Sequence, residues 1–203
     1  MHIAVTGNIG AGKTTLASLL AKHFGWEVFY EAVEGNPYLA DFYSDMERWS
    51  FNLQIYFLKS RFEQVMHIMD STQRIIQDRT IYEDAHIFAK NLYESGYMSQ
   101  RDYESYLALF EIMMSVVKPP DLMIYLKADL KKLVGQIRKR GRDFESNISE
   151  KYLTDLNRYY EEFIANYKDG KVLVIEVNDL DYANRPEDMN KVIELVDKAL
   201  LYG

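Results

Sequence analysis

The chain has 203 residues, 48% of them hydrophobic and 27% charged, with a formal net charge of −7. That balance suits a globular domain with its own core, excludes a disordered chain, and argues against broad electrostatic capture of a nucleic-acid polymer. Cysteine is absent, which excludes disulfides, thiolate metal sites and cysteine nucleophiles and fits a cytoplasmic compartment, and no apolar run approaches the ~20 residues of a membrane span.

In chain order, residues 3–6 read as a first buried strand. Because the chain opens on it, no signal peptide is expected ahead of it. It runs into Gly7-Asn8-Ile9-Gly10-Ala11-Gly12-Lys13-Thr14-Thr15, which matches G-x-x-x-x-G-K-[ST] between a strand and a helix, the context of a phosphate-binding P-loop. The helix follows at 13–24, with Leu16, Leu19, Leu20 and Phe24 on one face. A second strand at 28–30 ends at Glu31. Helical period returns over 49–69. A third strand at 74–77 ends at Asp78-Arg79-Thr80. A helix over 103–117 is closed off by Pro119 and Pro120 before a fourth strand at 122–126. Arg138, Lys139, Arg140 and Arg142 cluster after that strand, and a helix over 149–167 leads to a fifth strand at 172–177. The first, fourth and fifth strands are almost continuously apolar, as expected of strands covered on both faces. Strands alternating with helices imply an α/β fold: a five-stranded parallel sheet flanked by helices, with right-handed crossovers. No linker divides the chain, so one domain over 1–203 is expected.

The chemistry follows from position. Backbone amides of a glycine-rich turn and a helix N-terminus favour an anion. Lys13 would reach β- and γ-phosphates, and Thr14 would hold Mg²⁺ through its hydroxyl. Ligands of open α/β sheets collect beyond the strands' carboxyl ends, where Glu31 and Asp78 stand. One can act as a base and the other as a metal partner, and Asp78 is the metal-directed candidate. Arg79 would steady anionic oxygens. The basic cluster reads as a closing lid over about 136–148, stabilising charge on a transferring phosphoryl group and excluding water. The bland readings are a solvated acid at Glu31 and a solvated basic face at 138–142. The absence of an N-K-x-D motif argues against a GTPase.

The order of these motifs, together with Glu47-Arg48-Trp49-Ser50-Phe51-Asn52-Leu53-Gln54, resembles the deoxyribonucleoside kinase family from Gly7 to Tyr182, and within it the short bacterial purine-preferring kinases. The resemblance implies ATP as phosphate donor with Mg²⁺, a deoxyribonucleoside as acceptor, and a homodimer through helices after strands two and three. It implies Glu31 as base on the 5′-hydroxyl and Tyr43 with Glu145 on the 3′-hydroxyl. Gln54 would meet the base edge, with Arg61 and Asp84 paired beneath it. Arg79 corresponds to the family's acid-Arg-Ser motif, and Arg138, Arg140 and Arg142 to its lid. Asp181 and Tyr182 would lie at the donor adenine. Three positions depart from the pattern: Ala32 stands where proline is usual, Thr80 replaces serine, and Gln136 stands where an earlier lid arginine is usual. The spacing of Gln54, Phe57 and Arg61 puts them on one helical face, with Phe57 placed to stack on a base.

The expectation is therefore a nucleoside-salvage kinase with deoxyadenosine favoured and deoxyguanosine or deoxycytidine as further substrates. The alternatives are a thymidylate-type nucleoside monophosphate kinase and a non-catalytic P-loop switch or binding module.

Overall fold

The computed structural model describes residues 1–33, 35–142, 145 and 148–201. Its centre is a parallel sheet of β1 (His2–Gly7), β2 (Glu27–Phe29), β3 (Ile75–Asp78), β4 (Leu122–Lys127) and β5 (Lys171–Glu176), in the order β2-β3-β1-β4-β5. β1 lies in the middle and is buried along its whole length. Its register sets Val5 beside Asp78 and Gly7 beside Leu126. The P-loop therefore leaves the sheet at the switch between its two halves, where open α/β sheets bind ligands.

The helices are α1 (Lys13–Phe24), α2 (Leu39–Ser44), α3 (Met46–Asp70), α4 (Ile81–Glu83), α5 (Lys90–Glu94), α6 (Gln100–Met114), α7 (Leu130–Arg140), α8 (Glu150–Asn166) and α9 (Pro186–Leu201). A π-helical segment, Asp84–Ala89, joins α4 to α5. Local capping explains why three helices begin where they do. The Asp45 side chain accepts from Arg48 N at the start of α3, Ser99 from Asp102 N at α6, and Ser149 from Tyr152 N at α8. The caps start α3 and α6 three residues before the apolar period does. α9 and the π segment were not anticipated from the sequence.

β5 corrects one expectation. It is an edge strand, mostly exposed or half-buried, and Val174 is 47% exposed. Apolar composition alone does not separate an edge strand from a central one, because it carries no information on strand order. The core divides about the sheet. Leu16, Leu20, Val192 and Val196 pack on one face with Ile3 and Val5, and Leu53, Phe57, Leu58, Leu156 and Tyr160 pack in the other cluster.

One consequence of β1's burial is testable. His2 is buried, its Nε2 lies 3.0 Å from Gln77 Oε1, and burial above all holds its imidazole down at about 4. A base whose folded value lies below its unfolded 6.5 contributes stability above pH 6.5 that is lost as pH falls toward 4. Unfolding free energy should drop by up to about 3 kcal/mol across that window. His2→Gln should flatten this slope in urea titrations; an unchanged slope would remove His2 as the cause.

Candidate active site

A single cleft of about 820 Å³ runs across the carboxyl ends of β1, β2 and β3. The P-loop forms its floor. Gly10, at φ 86°, turns so closely beneath α7 that a Cβ there would lie 2.8 Å from Leu133 O. Asn8 ties the loop to α8: its Nδ2 donates to Leu153 O at 2.9 Å and to Asn157 Oδ1 at 2.6 Å. Lys13 is only 7% exposed and donates to the Asn8 carbonyl at 3.0 Å. Burial first, and the Arg79 charge second, bring its ammonium down to about 8.

Thr14 and Asp78 meet at the sheet end, where the threonine hydroxyl donates to Asp78 Oδ2 at 2.5 Å. Asp78 Oδ1 is buried without a hydrogen-bond partner among the described residues. Burial pushes this carboxyl above its ordinary range. An oxygen-only pair with a spare carboxylate oxygen suits Mg²⁺, which takes one or two protein carboxylates and completes its shell with water and phosphate. No group of three or more acidic, histidine or cysteine side chains is placed to hold a metal ion by itself among the described residues.

Beside them lies a buried charge network. Arg79 follows β3 with φ 72°, the only non-glycine in the left-handed region among the described residues, and its N–H donates to Val5 O at 2.9 Å. Such a conformation costs about 1–3 kcal/mol and persists where surroundings hold it. Here Glu31 Oε1 lies 2.9 Å from Arg79 Nη1, Glu83 Oε1 lies 3.9 Å from its Nε, and the guanidinium sits 4.3 Å above the Phe88 ring. Glu83 is fully buried and accepts from Thr80 N at 2.6 Å and Tyr160 Oη at 2.7 Å. Burial by itself would raise the Glu31 carboxyl, but Arg79 and then Arg61 hold it below the usual carboxylate value.

The other end of the cleft is apolar with a few polar edges. Leu39, Phe42, Leu53, Phe57 and Phe88 line it with Gln54 and Asp84. Arg61 is buried behind this wall, 3.5 Å from Asp84 and 3.6 Å from Glu31, and its Nη1 donates to Asp78 O at 3.0 Å. Burial outweighs the two arginines and pushes Asp84 up to about 7. Gln54 Oε1, Asp84 Oδ2 and the Tyr106 hydroxyl are buried without hydrogen-bond partners among the described residues.

Over the cleft, Arg140 grips Glu145 with Nη2–Oε1 at 2.6 Å and Nε–Oε2 at 3.1 Å, and Arg142 Nη1 lies 3.4 Å from Glu145 Oε1. Tyr43 lines the same wall; burial raises its hydroxyl, aided by Tyr152 and then Glu145. Residues 143, 144, 146 and 147 of the anticipated lid lie outside the described residues. At the far end, Asp181, Tyr182 and Asn184 close the cleft.

Of the residues singled out from the sequence, Ile9 to Thr15, Glu31, Tyr43, Gln54, Phe57, Asp78, Arg79, Asp84, Arg140, Arg142, Glu145, Asp181 and Tyr182 line this one cleft. Gly7, Asn8 and Arg61 support it from behind. Arg138 is not brought in: it is exposed on α7 and does not line the cleft. The face of α7 that does carries Lys132, Gln136, Lys139 and Arg140, three or four residues apart and therefore stacked; Arg138 stands about 200° around the helix from Gln136. Glu83, Tyr160, Phe88 and Lys132 were missed. Only Glu83 left a trace, as an acid four residues after Arg79.

The family model for deoxynucleoside kinase matches residues 3–201. The chain is 41% identical over 198 residues to the deoxyadenosine/deoxycytidine kinase of Bacillus subtilis, covering 97% of this chain and 90% of that protein. It is 42% identical over 193 residues to a deoxyadenosine kinase of Dictyostelium discoideum, covering 95% and 78%. The fold superposes with a TM-score of 0.86 on the structure of deoxyadenosine kinase from M. mycoides with products dCMP and a flexible dCDP bound, at 34% identity over 98% of this chain and 100% of that one.

Proposed function

This chain belongs to the deoxynucleoside kinase family, and from that premise we propose that it transfers the γ-phosphoryl group of ATP to the 5′-hydroxyl of a deoxyribonucleoside, deoxyadenosine being preferred. One observation carries the reading. A single cleft joins the P-loop to an apolar pocket whose polar edges, Gln54 Oε1 and Asp84 Oδ2, accept no hydrogen bond from the described residues, with the Glu31–Arg79 pair between the two ends.

In this reading the P-loop amides and Lys13 hold the triphosphate. Thr14 and Asp78 hold Mg²⁺, which would offset charge on the phosphate oxygens. Glu31 accepts the proton of the 5′-hydroxyl, while Arg79, Arg140 and Arg142 face the transferring group. Phosphoryl transfer asks mainly for positioning and charge stabilisation, and the buried cations beside the P-loop fit that demand. Asp181 and Tyr182 border the donor base.

The 3′-hydroxyl falls to Tyr43 and Glu145. Tyr43→Phe and Glu145→Gln should each raise KM for 2′-deoxyribonucleosides about fivefold to tenfold, as for the loss of one hydrogen bond. Neither should penalise analogues lacking the 3′-hydroxyl to the same degree; equal penalties on both substrate types would overturn this assignment.

The base is read by Gln54, whose amide can accept from the adenine 6-amino group and donate to ring N1. Turned over, it would serve guanine, so the choice between purines rests on the likeness to deoxyadenosine kinases. Arg61 and Asp84 fill the space that a thymine 5-methyl would need. Thymidine should therefore fall about 10²-fold or more below the best substrate in kcat/KM. The test is a panel of the four deoxynucleosides and their monophosphates. Thymidine as the best substrate would refute the Arg61–Asp84 argument. Turnover of monophosphates alone would favour the thymidylate-type alternative. Repulsion by Glu31 and Glu145 does not decide that point, since arginines pair with both.

A homodimer is supported by exposed apolar side chains at and just after the end of α6, Ile112 at 68% and Val116 at 54% exposed, and by a groove of about 270 Å³ beside α3 that includes Phe51, Ile55 and Tyr56. A monomer in sedimentation at working concentration would overturn it. No helix among the described residues is long and apolar enough to cross a membrane.

A further inference from the structure

The loop after β5 carries an aromatic ring whose polar end turns away from the cleft opening and into the P-loop. Tyr182 is buried and packs with Ala11, Ile175 and Val177. Its hydroxyl lies 3.1 Å from Gly12 O and 3.3 Å from Ala11 O. The phenol therefore donates to one or both carbonyls. Gly12 adopts φ 95°, and a Cβ there would lie 2.2 Å from the phenol oxygen. The absence of a side chain at Gly12 is thus matched to the presence of this hydroxyl.

The loop that delivers the hydroxyl is anchored from two sides. Lys132 Nζ donates to Leu180 O at 2.9 Å and Asn178 O at 3.2 Å, and Asp181 N donates to Asp188 Oδ2 at 2.9 Å. A trans peptide unit is planar, with its N–H opposite its C=O. A donor that holds the Ala11 carbonyl fixes the Gly12 N–H on the other side, and one that holds the Gly12 carbonyl fixes the Lys13 N–H. The Gly12 carbonyl also accepts the first bond of α1, from Leu16 N at 3.0 Å.

We propose that Tyr182 is a positioning residue for the phosphate-binding loop: its hydroxyl clamps the Ala11 and Gly12 carbonyls and so aims the Gly12 and Lys13 amides at the phosphates. It acts through the loop, and its effect extends to donors without a base. The inference rests on the reading of residues 7–15 as the triphosphate site.

The experiment compares Tyr182→Phe with the unaltered full chain, both with Mg²⁺, in binding ATP and inorganic triphosphate. Phenylalanine keeps the packed ring and removes only the hydroxyl. Both ligands should weaken by the same factor, about threefold to tenfold, as expected for one neutral hydrogen bond. KM for the deoxynucleoside at saturating ATP should stay unchanged, which a general loss of structure would not allow. By amide hydrogen exchange, Gly12 and Lys13 should exchange faster in Tyr182→Phe while β1 amides do not change. Weakened ATP with unchanged triphosphate would make Tyr182 an adenine contact only and overturn the proposal. So would unchanged binding of both, or unchanged exchange at Gly12 and Lys13. Failure of the unaltered chain to bind either ligand would overturn the triphosphate-site reading first, and this inference with it.

Discussion

A folded Lys13→Ala protein is expected to lose turnover by about 10³-fold or more, the scale set by removing a cation aimed at transferring phosphate. The lost interaction strengthens as charge moves onto the leaving β-phosphate oxygens, so the loss belongs mainly to kcat. The structure adds two expectations. Lys13 is buried with its ammonium lowered to about 8, chiefly by burial and then by Arg79. A lysine whose folded value lies below its unfolded one disfavours folding while it remains charged in the unfolded chain. Removing it should therefore leave stability at pH 7 unchanged or raised. Lys13→Met, which fills the stem volume, separates this effect from a packing loss. ATP affinity of the unaltered protein should also decline above about pH 8 as the free lysine deprotonates, and binding there should take up a proton. Near-normal kcat in folded Lys13→Ala would sink the catalytic role of Lys13. Calorimetric proton uptake in two buffers would check the pH argument.

How much of this site is legible in the sequence depends on how local each signal is. The P-loop is fully local: one motif, one strand before it and one helix after. Glu31 and Asp78 are almost as local, because a strand's end can be read and the carboxyl edge of a parallel sheet gathers ligands. The lid was half legible. A run of basic residues is visible, but which of them faces the cleft depends on the phase of α7, and that phase selects Arg140 and leaves Arg138 outside. The position of β5 at the sheet edge was illegible because strand order is set by crossovers. Glu83 was only faintly legible for a different reason. A buried acid is tolerated only with partners; Arg79 and Thr80 stand just before it in the chain, but Tyr160 comes from α8. Tyr160 reads as one more apolar position on the α8 stripe until Glu83 is placed beside it.

Glu31→Gln is expected to reduce kcat far more than it weakens deoxynucleoside binding, within the roughly 10²–10⁴-fold range of a lost general base. The amide keeps the side-chain shape and still accepts a hydrogen bond from Arg79, now 2.9 Å from Glu31 Oε1, but it cannot take the 5′-hydroxyl proton. The surroundings argue for the lower part of that range. Arg79 and Arg61 hold the carboxylate below its ordinary value against the opposing effect of burial, so it is ionised throughout the neutral range and is a weak base. Weak basicity suits a loose transition state, in which the proton leaves the attacking oxygen late. The acid limb of kcat should accordingly fall below about pH 4.3, the ordinary glutamate value, and any residual activity of Glu31→Gln should lack it. Loss of the carboxylate also leaves Arg79, among the described residues, with the more distant Glu83 at 3.9 Å as its remaining ion pair. A buried cation deprived of its partner is destabilising, so the melting temperature should fall as well. Glu31→Asp separates the two effects. It restores a negative charge near Arg79, and with it much of the stability, but withdraws the oxygen from the reacting hydroxyl by about one carbon–carbon bond. Stability recovered with kcat still depressed would identify the position of the carboxylate as the catalytic requirement. A Glu31→Gln defect confined to KM would reduce Glu31 to a binding group and leave the base to be found elsewhere in the cleft.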